Sequence, residues 1–225
     1  MHRCQIHGAG VSPEAVLPLL LLYPEGSMIE QKNIVQQWTA EDFFEGREST
    51  GGQQGTCPPL DLEKEARECY TELVNRSLLV RMIDGADGCA TMPTLLRSYA
   101  IYRSQYENYV GDPCHIGRAF KVWRLCAADA DTIHDIPDDI TSLTTLLVFG
   151  SSSPRRDTGP STTPAVINVI CQKFTSLRVL DLRDTQVEVV GSNLGRLLQF
   201  RYLNLSHTRI KNFPWRSGIL RCFSS

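Results

Sequence analysis

Leu177-Arg178-Val179-Leu180-Asp181-Leu182 is answered, 23 residues later, by Phe200-Arg201-Tyr202-Leu203-Asn204-Leu205. Thr185 and Val187 after the first copy are matched by Thr208 and Ile210 after the second. Alternation within each copy predicts a short strand that sends Leu180 and Leu182, or Leu203 and Leu205, to one side. A unit of this length cannot bury its own hydrophobic face. Neighbours must stack into a solenoid, whose concave strand face is a usual binding surface. The first clue therefore points to recognition rather than chemistry.

The period falls within the roughly 20–29 residues of leucine-rich repeats, where an L-x-x-L-x-L strand precedes a turn and a variable return. Weaker copies lie upstream. Val122 to Ala127, Ile133 to Pro137 and Leu143 to Val148 read as irregular repeats over 119–149. Leu125 to Leu146 is 21 residues and Leu146 to Leu180 is 34. The excess coincides with a Ser/Pro/Arg/Thr-rich segment, 151–164, read as an exposed loop. Regular repeats then occupy 174–214. No polar capping repeat follows, so a solenoid ending there is expected to be poorly stable or sticky.

The N-terminal half has a different rhythm. Residues 1–12 carry no pattern. Val16 to Tyr23 reads as a short buried helix, ended by Tyr23-Pro24-Glu25-Gly26. Ser27 and Glu30 have capping-box spacing, and Ile34, Val35 and Trp38 continue at helical spacing toward Phe43 and Phe44. This predicts a helix of about four turns. Residues 46–59 read as a loop. Asp61 is placed to cap a helix with the stripe Leu62, Ala66, Cys69, Tyr70, Leu73 and Val74. Leu78 to Ile83 and Cys89 to Met92 flank Asp84-Gly85-Ala86-Asp87-Gly88, a strand–turn–strand ribbon. Pro93 opens a last helix, with Leu96, Tyr99, Ala100 and Arg103 on one side. Three helices and a ribbon in this order predict a winged helix. The expected fold is thus mixed α and β: a helical winged-helix-like subdomain over 13–110, then a short α/β leucine-rich-repeat solenoid over 111–225.

A formal net charge of −2 gives no global drive toward nucleic acid or an anionic membrane. The eight cysteines (4, 57, 69, 89, 114, 126, 171 and 222) include no C-x-x-C pair and no Cys/His cluster with zinc spacing. Several fall at apolar positions and are read as reduced thiols, which points to the cytoplasm. No apolar run approaches the roughly 20 residues of a membrane span. Glu14 and Pro18 interrupt the one stretch that resembles a signal peptide.

These blocks, in order over about residues 13–214, resemble the middle of a plant nucleotide-binding leucine-rich-repeat (NB-ARC/LRR) disease-resistance protein. Leu20-Leu21-Leu22-Tyr23-Pro24-Glu25-Gly26 is similar to that family's Leu-Tyr-x-x-x-Phe-Pro-Glu block. Ile34-Val35-Gln36-Gln37-Trp38-Thr39-Ala40-Glu41-Asp42-Phe43 resembles its Trp-Ile-Ala-Glu-Gly-Phe helix. Tyr70 to Leu79 resembles its Tyr-x-x-Glu-Leu-x-x-Arg-Ser-Leu-Leu block. The resemblance implies a fragment: the coiled-coil and nucleotide-binding parts would precede Met1, and most repeats would follow Ser225. Intact members bind ADP or ATP, and a Met-His-Asp histidine approaches the ADP. Here Met92, Pro93 and Thr94 occupy that motif, and proline offers neither an N–H nor a donating side chain. No G-x-x-x-x-G-K-[ST] loop is present either. The expectation is a chain without cofactor, acting in plant defence through protein partners such as full-length immune receptors or pathogen effectors.

Catalysis is not expected. Asp181, Asp184 and Glu188 read as solvated charges or partner contacts, and His134-Asp135 and Asp138-Asp139 lack a third partner for metal or proton relay. The concave positions Arg178, Asp181, Arg183, Arg201, Asn204 and Ser206 are the contact candidates. Arg155 and Arg156, with Arg178, Arg183, Arg196, Arg201 and Arg209, read as a mixed-charge solvated face rather than a basic strip. Two rival classes are a secreted leucine-rich-repeat protein that binds an extracellular ligand and a winged-helix DNA binder. Disulfides would mark the former and steeply salt-dependent affinity the latter.

Overall fold

The computed structural model describes residues 13–44, 59–82, 88–104, 122–127, 129, 131–150, 163–189, 192–210 and 222–224. The expected loops 46–59 and 151–164, the ribbon turn 84–87 and the arginines 155 and 156 lie wholly or almost wholly outside them. The chain divides into two compact units, Met1–Gln105 and Tyr106–Ser225.

In the first unit α1 (Pro13–Leu20) leads through a turn to β1 (Ile29–Glu30) and α2 (Gln31–Ala40). Then come α3 (Pro59–Asn75), β2 (Val80–Arg81), β3 (Cys89–Thr91) and α4 (Thr94–Ser104). The three strands form one antiparallel sheet in the order β1-β3-β2. α2 packs on α3, and α1 packs on both α3 and α4. The buried stripe of α3 (Leu62, Ala66, Cys69, Tyr70, Leu73) keeps the spacing the sequence predicts. Trp38 is fully buried, with the Phe44 ring 6.3 Å from it.

Three local expectations fail. The capping box is not formed: α2 starts at Gln31, Glu30 caps it without a side-chain bond, and Ser27 Oγ donates to the Pro24 carbonyl at 2.7 Å. Ile29–Glu30 is drawn instead into pairing with Cys89–Ala90, which costs the helix its first turn. Its other end comes at Ala40, and Asp42 follows in a left-handed conformation, so Phe44 reaches the core from a turn. Asp61 lies inside the first turn of α3 rather than at its cap.

The second unit is a five-stranded parallel sheet in sequential order: β4 (Arg124–Ala127), β5 (Thr145–Val148), β6 (Val179–Asp181), β7 (Tyr202–Asn204) and β8 (Cys222–Ser224). Leu125, Leu146, Leu180 and Leu203 stand side by side in register, at the intervals read from the sequence. Two 3-10 turns of helix (Asp131–Asp135 and Ser192–Arg196) and α5 (Thr163–Lys173) provide the returns. The core joins Leu146, Leu180 and Leu203 to Ile133, Ile167, Ile170, Phe174, Leu194 and Phe200, all at most 2% exposed.

Candidate functional site

Strands β5, β6 and β7 are entered in the same way. The Trp123 carbonyl accepts from the N–H groups of Thr144 and Thr145, and the Thr144 carbonyl from Arg178 and Val179. The Arg178 carbonyl accepts in turn from Arg201 and Tyr202, at 2.9 and 3.0 Å. The exits repeat too. Asp184 and His207 both turn left-handed, at φ of 57° and 59°, and the hydroxyls of Thr185 and Thr208 donate to the carbonyls of Leu182 and Leu205. A two-residue Asx turn follows β6, where Arg183 N–H donates to Asp181 Oδ1 at 3.1 Å. The same turn follows β7, where Ser206 N–H donates to Asn204 Oδ1 at 3.0 Å.

These turns correct the expected contact surface. Asp181 is 1% exposed, Asn204 0% and Arg183 8%, so none is the solvated concave residue that alternation suggested. The Arg183 guanidinium grips the Asp181 carboxylate with Nε at 3.1 Å and Nη2 at 2.8 Å from Oδ2, and lies 5.9 Å from the Phe149 ring centroid. Asn204 Nδ2 donates to the same Oδ2 at 3.3 Å, which ties β7 to β6. Burial pushes the Asp181 carboxyl above its ordinary range, opposed by Arg183 and Asn204. On the same sheet face Cys126, Thr145, Leu147, Val179 and Tyr202 are buried as well. Among the six expected contact residues, Arg178, Arg201 and Ser206 remain half-exposed. Asn204 orients Ser206 by accepting from its hydroxyl as well, at 2.7 Å.

The remaining candidates are scattered. Asp184 and Glu188 are exposed, and Glu188 faces Arg209 at 3.9 Å. His134 and Asp135 are exposed, and Asp138 is bound by Lys173 at 2.8 Å, which lowers its pKa. Lys173 Nζ also donates to the Ile136 carbonyl, clasping α5 to the return below. Among the described residues no group of His, Cys, Asp or Glu is placed to hold a metal ion. Met92 is buried, Pro93 is half-exposed and Thr94 is exposed at the start of α4. The structural duty there falls to Arg97, which sequence reasoning left unassigned. Its guanidinium donates to the carbonyls of Tyr23 (2.7 Å) and Leu21 (3.3 Å), fixing α4 to the turn after α1. The basic residues of α3 face carboxylates one turn away, Arg67 to Glu63 and Lys64 to Glu68, which leaves that helix poorly suited to phosphate.

The first unit carries the deciding comparison. The profile described as "Disease resistance protein Winged helix domain" matches residues 22–98, from the end of the leucine run to the second turn of α4. Residues 22–98 are thus similar to the winged-helix domain of disease-resistance proteins. The match embraces α2, α3 and the whole three-stranded sheet, and Arg97 lies within it. No curated protein matches the chain. Among the described residues no helix is long and apolar enough to cross a membrane.

Proposed function

We propose that this chain is a binding module of the disease-resistance type. In this reading the second unit is a leucine-rich-repeat solenoid, and a protein partner docks on the surface bearing Arg178, Arg201 and Ser206. The observation that carries it is the recurring strand entry, with one carbonyl shared by two N–H groups at Trp123, Thr144 and Arg178. Such repetition is how a solenoid stacks identical units and generates an extended surface. The winged-helix domain supports the defence context. The buried Cys69, Cys89, Cys126 and Cys171 are not joined in disulfides, in keeping with a reducing cytoplasm. In plant cells the partners would be full-length immune receptors or pathogen effectors.

The chain would act without catalysis and without ADP. Met92-Pro93-Thr94 offers no imidazole to a phosphate, and no phosphate-binding loop is encoded. Co-expression with a full-length disease-resistance receptor in leaf tissue tests the reading. The wild-type chain is expected to alter effector-triggered cell death, and the Arg178→Ala, Arg201→Ala, Ser206→Ala variant to lose that effect at equal abundance. Identical behaviour of the two would discard this surface.

A further inference from the structure

The three-stranded sheet of the first unit ends in β2, and among the described residues no strand lies on its far side. Register decides which backbone groups that edge presents. Met82 N–H donates to the Cys89 carbonyl at 3.2 Å, so Met82–Cys89 and Val80–Thr91 are the hydrogen-bonded pairs of this antiparallel ribbon. Arg81, opposite Ala90 between them, must then point its N–H and C=O away from β3, and among the described residues neither has a partner. The β1 side obeys the same rule: Gln31 N–H donates to the Gly88 carbonyl, so Ile29–Ala90 is a bonded pair and the Ala90 groups are spent on β1. Side chains sort by face. Arg81 shares a face with the buried Ile29 and Ala90 but stands exposed at the rim. Met28, Thr91 and Val80 form a row on the opposite face, with Met28 50% and Val80 48% exposed, and Met82 on that face is 38% exposed. Large apolar side chains thus border a strand edge whose backbone is unpaired. Arg81 makes no ion pair among the described residues; its charge acts on the phenol of Tyr70, which is neutral at physiological pH. Glu30 lies two strands away on the other face and accepts from Asn33 Nδ2 at 2.9 Å.

We propose that the outer edge of β2 takes up an extended polypeptide segment as a fourth, antiparallel strand, with a carboxylate opposite Arg81 and an apolar residue on each side of it. The edge belongs to the first unit and is independent of the solenoid surface. Main-chain bonds to Arg81 supply the pairing, and the side chains on either face select the sequence. The residue opposite Arg81 shares its face, where a carboxylate meets the guanidinium. Its two neighbours fall on the other face and cover Val80 and Met82. A second copy is disfavoured as the occupant, because a two-fold through this edge sets Arg81 directly opposite Arg81 of the other copy.

The test titrates the full chain with a fluorescein-labelled peptide of sequence threonine-valine-glutamate-valine-threonine, followed by anisotropy. N-methylation of its glutamate removes the N–H that meets the Arg81 carbonyl and should weaken binding roughly tenfold. N-methylation of the following valine, whose N–H points away from β2, should leave affinity unchanged. Arg81→Glu should lose roughly tenfold for the glutamate peptide and bind the lysine analogue better instead. Arg81 is exposed, and thermal melts of the variant verify the fold. Equal affinity of the two N-methylated peptides overturns the proposal, as does an Arg81→Glu variant that still prefers glutamate to lysine. Absence of binding at millimolar peptide overturns it as well. So does light scattering that shows a dimer dispersed by Val80→Lys, which assigns the edge to a second copy.

Discussion

Replacing Asp181 by alanine should be among the most damaging single substitutions in the second unit. The carboxylate is 1% exposed and accepts from Arg183 Nε, Arg183 Nη2, Arg183 N–H and Asn204 Nδ2. Its removal strands a guanidinium that is itself 8% exposed and leaves the amide and the asparagine without that acceptor. Breaking a buried pair on one side costs about 3–5 kcal/mol. Removing both charges is different. Asp181→Leu with Arg183→Met should be close to neutral, or stabilising by as much as about 4 kcal/mol, because neither ion is then desolvated. Urea titration followed by hydrogen exchange in peptides covering 179–205 isolates this unit from the first. The Arg183→Met single variant adds a pH test. With the guanidinium gone, burial raises the Asp181 pKa in the folded state, opposed by the Asn204 amide and the backbone N–H of residue 183. The neutral form is then favoured, so stability is full below the ordinary carboxylate pKa of about 3.9 and falls as pH rises. A cost below about 1 kcal/mol for Asp181→Ala, or a double variant less stable than the single, would refute the reasoning.

In the first unit, Tyr70 OH donates to the Gly88 carbonyl at 2.9 Å, and burial, with Cys89 nearby, pushes its pKa to about 12. Tyr70→Phe should cost about 1 kcal/mol in urea unfolding. In the wild type the tyrosine's contribution should hold below pH about 10 and fade as pH climbs toward the folded value, whereas the phenylalanine variant lacks this alkaline loss. The Cys171 thiol, raised to about 11 by burial, should resist iodoacetamide at pH 8 until urea unfolds the second unit, as read by mass spectrometry. A Cβ at Gly150 would lie 1.8 Å from the Asp184 carbonyl oxygen. Gly150→Ala must therefore push β5 and the β6 exit apart, costing about 1–3 kcal/mol in the same titration.

The strands of the second unit were legible because the leucines that face the core recur at intervals the register preserves. Leu125, Leu146, Leu180 and Leu203 align in space as they do in sequence. The wide interval before Leu180 suggests only a loop over 151–164, yet it holds α5 as well. Val166, Ile167, Ile170, Cys171 and Phe174 keep a helical period that the polar tract beside them obscured. β8 offered only Cys222-Phe223-Ser224, too short to count as a repeat. The buried fate of Asp181 was hidden by treating alternation as inside versus solvent. The opposite positions Cys126, Leu147, Val179 and Tyr202 are themselves apolar, the pattern of strands buried on both faces. In the first unit the α3 stripe and ribbon were readable. The two-residue β1 was not, because tertiary pairing with β3 outweighed the local capping preference of Ser27.

The most direct test of the account maps where a partner touches the chain. Hydrogen exchange would be compared for the free chain and for its complex with a full-length disease-resistance receptor. The account predicts slowed exchange in peptides spanning 175–180 and 196–206, with α2 and α3 unchanged. Protection confined to the winged-helix elements, with the strand entries of β6 and β7 exchanging as before, would contradict it.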